Sequence, residues 1–201
     1  MKRRYFGTDG VRGPVGGPLI NPRFARRLGA AAARLAKSRL GAAGEAPVII
    51  GRDTRASGIE LERAVAEGIR SQGFQVGSVG AAPTPVVSFA VRHYGAPLGV
   101  VITASHNPAT DNGIKFFSGS GTKLRDADEA EIEARLEEIE QVDVDPAAPD
   151  LTTLPAVQLY NDHLAGTLPE DALRGWTVAV DCSNGASVAT TPRVLEKLGA
   201  E

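Results

Sequence analysis

The chain has 201 residues, 42% of them hydrophobic, 23% charged and 5% aromatic, with 22 Lys+Arg against 24 Asp+Glu for a net charge of −2. These proportions suit a folded globular chain and exclude a disordered or fibrous one; no stretch approaches the ~20 apolar residues of a membrane span, and the basic start runs into Thr8-Asp9-Gly10 rather than an apolar core, so it does not read as a signal peptide. The near-zero total hides an uneven distribution, because residues 1–125 carry 18 basic and 7 acidic side chains, residues 126–150 carry 1 and 11, and residues 151–201 carry 3 and 6.

Asn21-Pro22 opens the first helical pattern, with asparagine as N-cap and proline at the first helical position. Phe24, Leu28, Ala31, Ala32 and Leu35 recur at helical spacing, Arg26, Arg27, Arg34 and Lys37 take other faces, and Gly41 and Gly44 mark the end. Val48-Ile49-Ile50, between Pro47 and Gly51, reads as a buried strand. Ser57-Gly58-Ile59-Glu60 has the form of a capping box, followed by Leu61, Val65 and Ile69 on a helix that stops near Gly73. Gln75 to Val79 reads as a strand, Pro83 to Tyr94 as a helix with Val86, Val87, Ala90 and Val91 inward, and Leu98 to Ile102 as a third strand.

That alternation predicts an α/β fold with a mixed, mostly parallel sheet, helices on both faces and ligands beyond the carboxyl ends of the strands. Gly113 to Ser118 reads as a further, antiparallel edge strand, and Asp128 to Gln141 as an acidic helix with Ile132, Leu136 and Ile139 on one stripe. Val142 to Leu154 lacks periodicity and reads as a linker. Beyond it come a short helix around Leu159 and Leu164, a strand at Thr177 to Val180 and a helix at Val188 to Leu198. The expected division is a first domain at 1–142, a linker at 143–154 and the incomplete start of a second α/β domain at 155–201. A lone βα unit completes no sheet, so the chain reads as a fragment or as dependent on a partner. The single cysteine, Cys182, permits no internal disulfide and, with the missing leader, points to a reducing cytoplasmic setting.

The chemistry gathers at the predicted strand ends. Thr103-Ala104-Ser105-His106-Asn107-Pro108 follows the run Gly99 to Ile102, placing a hydroxyl where open α/β sheets place their sites. Gly51-Arg52-Asp53-Thr54-Arg55-Ala56-Ser57-Gly58 joins a strand to a helix and offers backbone N–H groups and two guanidinium forks, Arg52 and Arg55, to an anion. Phe6 to Gly13 is a glycine-rich loop with one arginine, Arg12. Gly113-Ile114-Lys115-Phe116-Phe117 sets a lysine in an apolar segment, where burial would push its pKa towards acid/base use. Each segment alone also fits a turn, a helix start or an edge charge; their joint occurrence at strand ends points to a site.

Together these four motifs resemble the α-D-phosphohexomutase family, and the first and last are worded most like its bacterial glucosamine-phosphate branch. The resemblance extends to Val180-Asp181-Cys182-Ser183-Asn184-Gly185-Ala186, which is similar to the opening strand and loop of that family's second domain. It implies that Ser105 is a phosphoserine, that His106 and Asn107 shape its loop, that Lys115 is the candidate general acid/base and that Arg12 steadies the transferring phosphoryl group. It also implies a Mg²⁺ ion with Ser105 as one ligand through its phosphate, a sugar 1,6-bisphosphate that primes the serine, and interconversion of glucosamine 6-phosphate and glucosamine 1-phosphate. The family's Asp-Gly-Asp-x-Asp-Arg metal loop, its sugar-reading loop and its final phosphate loop are absent before Glu201, so turnover is expected of a longer protein only.

Gluco- or mannophosphomutase activity is the nearest rival, since the same serine loop serves both. A serine hydrolase is disfavoured because neighbours on an extended segment point to opposite sides, so His106 would not reach Ser105, and no Gly-x-Ser-x-Gly elbow is present. A non-catalytic module is a further alternative, with Arg26, Arg27 and Arg34 facing a second copy in a homodimer. The basic residues are scattered and lack interleaved aromatics, so no nucleic-acid partner is expected.

Overall fold

A computed structural model describes residues 4–40, 46–143 and 151–201. Six strands, β1 (Val11–Pro14), β2 (Val48–Arg52), β3 (Val76–Ala81), β4 (Leu98–Ile102), β5 (Asp111–Ser118) and β6 (Thr152–Thr153), form one sheet in the order β1-β5-β4-β2-β3-β6. β4, β2, β3 and β6 pair in parallel, while β5 is antiparallel to both β4 and β1. The helices are α1 (Pro22–Leu40), α2 (Gly58–Arg70), α3 (Thr84–His93), α4 (Asp126–Glu137), α5 (Ala156–Ala165) and α6 (Thr191–Lys197).

Alternation along the strands builds two cores. Val48 and Ile50 join Val100, Ile102, Ile114 and Phe116 beneath α1, α2 and α4, whereas Ile49, Val101 and Phe117 point to the other face, against α3 and the first turn of α5. This is the expected mixed sheet covered on both faces, and it explains why the inner strands are apolar on both sides. The start of α1 is as expected: Asn21 Oδ1 accepts from the Phe24 N–H at 2.9 Å. Gly41 and Gly44 lie outside the described residues. α1 and α2 cross where a Cβ on Gly68 would stand 1.9 Å from the Arg26 carbonyl oxygen, so this close backbone approach requires glycine.

Several expectations are corrected. Ser57 makes no side-chain cap bond to α2; its Oγ instead accepts from Nδ2 of the fully buried Asn112 at 2.8 Å. β5 is antiparallel but not an edge, because β1 pairs outside it. The Val-Arg-Gly-Pro sequence of β1 has no strand-like alternation, and its pairing is supplied by β5. Thr152-Thr153, within the segment read as a linker, joins the sheet beside β3, while 144–150 lie outside the described residues. Thr177 to Val180 is not a strand: it finds no ladder among the described residues and is tied only by Val178 N–H to Glu201 O and Glu201 N–H to Trp176 O, at 2.8 Å each. The helix read over Val188 to Leu198 is broken into a 3₁₀ turn (Ala186–Ala189) and α6. Pro192 has no N–H for the residue 188 carbonyl, and its ring would clash there.

The α1 arginines read as facing a second copy are engaged within the chain. Arg26 Nη2 pairs with Glu67 at 2.5 Å, Arg27 donates to the carbonyls of Leu136 and Ile139, and Arg34 donates to Gln72 at 3.2 Å.

α4 starts at Asp126, ends at Glu137 and docks through its acids. Glu133 accepts from the backbone N–H groups of Arg4 at 2.7 Å, Tyr5 at 2.6 Å and Phe6 at 2.7 Å, anchoring the segment that leads to Asp9 and Arg12. Asp128 receives Arg39 at 2.6 Å and Arg125 at 3.1 Å; the Arg39 hydrogen bond first, and Arg125 with it, hold its carboxyl well below the usual carboxylate range.

Two outcomes follow from α4. Glu133→Ala should lower stability by about 2–3 kcal/mol, since three backbone donors, that of Phe6 buried, lose a charged acceptor, with faster amide exchange at residues 4–6; denaturant unfolding and hydrogen exchange check both. Asp128 has a depressed folded pKa, so its contribution is present above its unfolded value of about 3.9 and is lost as pH falls below it. Asp128→Asn should therefore flatten the loss of stability below about pH 4, read as midpoint against pH.

Candidate active site

β4 carries the chain to the carboxyl end of the sheet, and the ladder with β5 extends one step further through Thr103 N–H to Gly113 O at 2.9 Å. Two residues on, Ser105 adopts φ of 57°, in the left-handed region that a serine rarely occupies. Both of its backbone polar groups are bonded: its N–H donates to Thr103 Oγ1 at 3.0 Å and its carbonyl accepts from Arg55 Nη2 at 3.0 Å. The side chain is left exposed, with Oγ 3.3 Å from His106 Nδ1.

That contact corrects the expectation that His106 points away from Ser105, because the alternation of an extended segment does not hold where the chain turns through a positive φ. It does not assemble a hydrolase triad: His106 is exposed, and no carboxylate bonds its ring among the described residues. Asn107 is hydrogen-bonded within the loop. Its Nδ2 donates to Asp111 at 2.9 Å and its N–H to Ala104 O at 3.1 Å.

The two arginines read as anion forks have other partners. Arg52 donates through Nε to Glu62 at 3.1 Å, and the same carboxylate accepts from Ser78 at 2.5 Å, so Arg52 turns towards α2 and does not line the cleft described below. Arg55 lies beneath the Ser105 loop. Its Nε donates to Asp53 at 3.0 Å, Nη1 to the carbonyls of Pro108 and Asp111 at 2.6 and 3.0 Å, and Nη2 to those of Ser105 and Asn107 at 3.0 and 2.8 Å. Asp53 also accepts from Thr103 Oγ1 at 2.6 Å.

Arg12 and Lys115 are brought together through Asp9, whose Oδ2 lies 2.5 Å from Arg12 Nη2 and 3.3 Å from Lys115 Nζ. Arg12 faces Gly113 across β1 and β5, and Lys115 faces Val101 across β5 and β4, so both side chains belong to the sheet face on which Val101 borders the cleft. Lys115 is mostly buried, as the apolar flanks suggest; Asp9 is the partner that its flanks do not reveal. Asp9, Asp53 and Thr103 fall inside the motifs but carry no periodic or spacing signal of their own; only the fold shows which cation or amide each serves.

A cleft of about 930 Å³ opens at this end of the sheet, bounded by Thr54 and Arg55 of the β2–α2 loop, by Thr103 and Ser105 to Asn107, and by Ser183 to Ser187 from the C-terminal part of the chain. Thr54 Oγ1 donates to the Asn184 carbonyl at 3.1 Å, and Ser183 and Asn184 both have positive φ.

The pattern of the family described as "Phosphoglucomutase/phosphomannomutase, alpha/beta/alpha domain I" matches residues 3–143. Among curated relatives, the chain is 45% identical over 202 residues to a phosphoglucosamine mutase of Haemophilus ducreyi, covering 100% of this chain and 45% of that protein. It is 44% identical over 204 residues to that of Haemophilus influenzae, covering 99% and 44%. The chain thus spans a little under half the length of these relatives. Among solved structures, a phosphoglucomutase/phosphomannomutase family protein from Burkholderia thailandensis superposes with a TM-score of 0.79 at 26% identity, over 96% of this chain and 41% of that one. The open form of parafusin, a phosphoglucomutase from Paramecium, gives 0.79 at 19% identity over 97% and 41%, a likeness of fold.

Gly113 is where β1, β5 and the Ser105 loop meet, and a Cβ there would stand 2.5 Å from the Thr103 carbonyl oxygen and 2.9 Å from Arg12 Cγ. Gly113→Ala should cost about 1–3 kcal/mol by overpacking and loosen the Thr103 amide, measured by thermal unfolding and by exchange at that amide.

Proposed function

The chain belongs to the phosphoglucomutase/phosphomannomutase family, and on that premise we propose that it is the nucleophile-bearing portion of a phosphoglucosamine mutase, with Ser105 as the phosphoserine. The observation that carries this is the presentation of Ser105: a strained backbone bonded at both ends, with its Oγ exposed in a cleft at the carboxyl end of a parallel sheet. The 45% identity to a phosphoglucosamine mutase supports the choice of sugar.

In this reading, residues 1–142 form the first domain, 143–154 the connection and 155–201 the start of a second, with turnover belonging to a protein of the relatives' length. The phosphoryl group leaves Ser105 Oγ for the 1-hydroxyl of glucosamine 6-phosphate, so the Oγ–P bond breaks and a C1–O–P linkage forms. The hydroxyl proton passes to a base, the role assigned to Lys115. The resulting 1,6-bisphosphate turns over in the cleft and returns its 6-phosphate to Ser105, giving glucosamine 1-phosphate. A serine relay is needed because the 6-phosphate cannot reach the 1-oxygen of its own ring in line. Arg12 offsets charge on the transferring group, His106 and Asn107 hold the loop, and a sugar 1,6-bisphosphate restores the phosphoserine when it is lost. Positioning and fixed charge supply most of the catalysis in such transfers.

The residues described do not by themselves fit a magnesium ion. The phosphate on Ser105 would offer an oxygen, but no group of three His, Cys, Asp or Glu side chains that could hold a metal comes together among the described residues. Mg²⁺ demands near-octahedral oxygen coordination, so no step is assigned to it. No helix among the described residues is long and apolar enough to cross a membrane.

Intact mass and peptide mapping of the complete protein should show one phosphate, on Ser105, and Ser105→Ala should abolish turnover. Assayed on glucosamine 6-phosphate, glucose 6-phosphate and mannose 6-phosphate, the protein should have its highest kcat/KM on the first. A preference for mannose 6-phosphate, or a phosphate on another residue, would overturn the assignment.

A further inference from the structure

We infer that Arg55, acting with Asp53 and Thr103, is a positioning residue that sets the geometry of Ser105, and that it takes no part in binding the sugar phosphate. This rests on Ser105 being the phosphoryl carrier. A guanidinium has five N–H groups in a rigid fork and no acceptor, and the bonds of Arg55 use all of them: one on Asp53 and four on the carbonyls of Ser105, Asn107, Pro108 and Asp111. Nothing remains to donate to a phosphate. Its charge is also matched, because Asp53 faces it at 3.0 Å and both side chains are mostly buried.

The same carboxylate controls the other side of Ser105. Asp53 accepts a hydrogen bond from the Thr103 hydroxyl at 2.6 Å, which leaves the Thr103 oxygen free to accept the Ser105 N–H at 3.0 Å. Had the Thr103 proton pointed at Ser105, two donors would meet. The chain Arg55–Asp53–Thr103 therefore fixes Ser105 at its amide, and Arg55 alone fixes it at its carbonyl. A serine at φ of 57° persists only where its surroundings over-determine it. Without the clamp, the loop has no ladder to hold it, and Oγ leaves the line of transfer.

A lysine cannot replace Arg55, since three donors on one nitrogen do not span four carbonyls and a carboxylate. Serine can stand in for Thr103 because it keeps the hydroxyl, whereas valine keeps the shape and loses it.

The test is steady-state kinetics of the complete protein with Arg55→Lys, Arg55→Ala, Thr103→Val and Thr103→Ser, together with hydrogen exchange over residues 103–111. Arg55→Lys and Thr103→Val should lower kcat about 100-fold, the scale of a misplacement of about 1 Å, with KM for the sugar phosphate within about threefold of the parent and faster exchange confined to the loop. Thr103→Ser should keep kcat within about threefold of the parent. A raised KM with kcat retained in the Arg55 variants would make Arg55 a substrate contact, and Thr103→Val equal to Thr103→Ser would remove the hydroxyl relay; either overturns the proposal. Should Arg55→Ala fail to fold, the threonine pair decides alone. A parent whose turnover survives Ser105→Ala defeats the functional reading itself, whereas a Ser105-dependent parent indifferent to Thr103→Val defeats only the positioning role.

Discussion

A serine in the left-handed region at the end of a buried strand is the constraint around which the first domain is arranged. Left to itself the segment from Ala104 to Ala109 would relax, since it belongs to no strand ladder and otherwise holds only local turn bonds such as Asn107 N–H to Ala104 O. Its carbonyls instead converge on one guanidinium, delivered from the end of β2 by the Asp53-Thr54-Arg55 turn. That delivery needs β2 and β4 side by side in parallel, so that both strands release their loops at the same edge. Sheet topology, loop strain and the exposure of Ser105 Oγ are therefore one arrangement at three scales.

The antiparallel half of the sheet brings in the remaining chemistry. β5 returns alongside β4 and places Lys115 opposite Val101, and β1 then lays Arg12 opposite Gly113. β1 is only four residues long and lies at the edge, and the segment leading into it has attachments elsewhere. Glu133 of α4 supplies one by gathering the N–H groups of residues 4–6. Lys123 supplies another by donating to the Thr8 carbonyl at 2.7 Å. A helix on one face of the sheet thus steadies a loop whose charged side chains serve the other.

What the sequence disclosed follows from how local each determinant is. Val48 to Ile50, Leu98 to Ile102 and the stripe Leu61, Val65, Ile69 are apolar runs whose period alone sets their structure, and they fold as read. β1 was not visible, since Val-Arg-Gly-Pro becomes a strand only when β5 offers it a partner. Thr177 to Val180 fails in the opposite sense: its β-forming residues are present, and no strand among the described residues pairs with them. In the site, Ser105, Arg12 and Lys115 were legible as motif residues. The role of Arg55 was not, because a fork that binds an anion and a fork that binds four carbonyls read identically until the loop is folded over it.

The uneven charge of the chain now has a structural cause. Many cations of the basic first part meet named acceptors: Arg26 meets Glu67, Arg52 meets Glu62, Arg55 meets Asp53, and Arg39, Arg125 and Lys123 meet the acids of α4. The acids of α4 are therefore a counter-charge that docks the helix onto a basic body, while the carbonyls of Leu136 in α4 and of Ile139 just beyond its end take Arg27. On the other face of the sheet, Arg12 and Lys115 share one carboxylate, Asp9. Two cations on one anion leave a net positive charge on the sheet face that borders the cleft. A single excess charge beside low-dielectric walls is a modest but directional attraction for an anion. It sits on the strands that flank Ser105, not on the loop that carries it, so the loop is left to geometry and the anion to its neighbours.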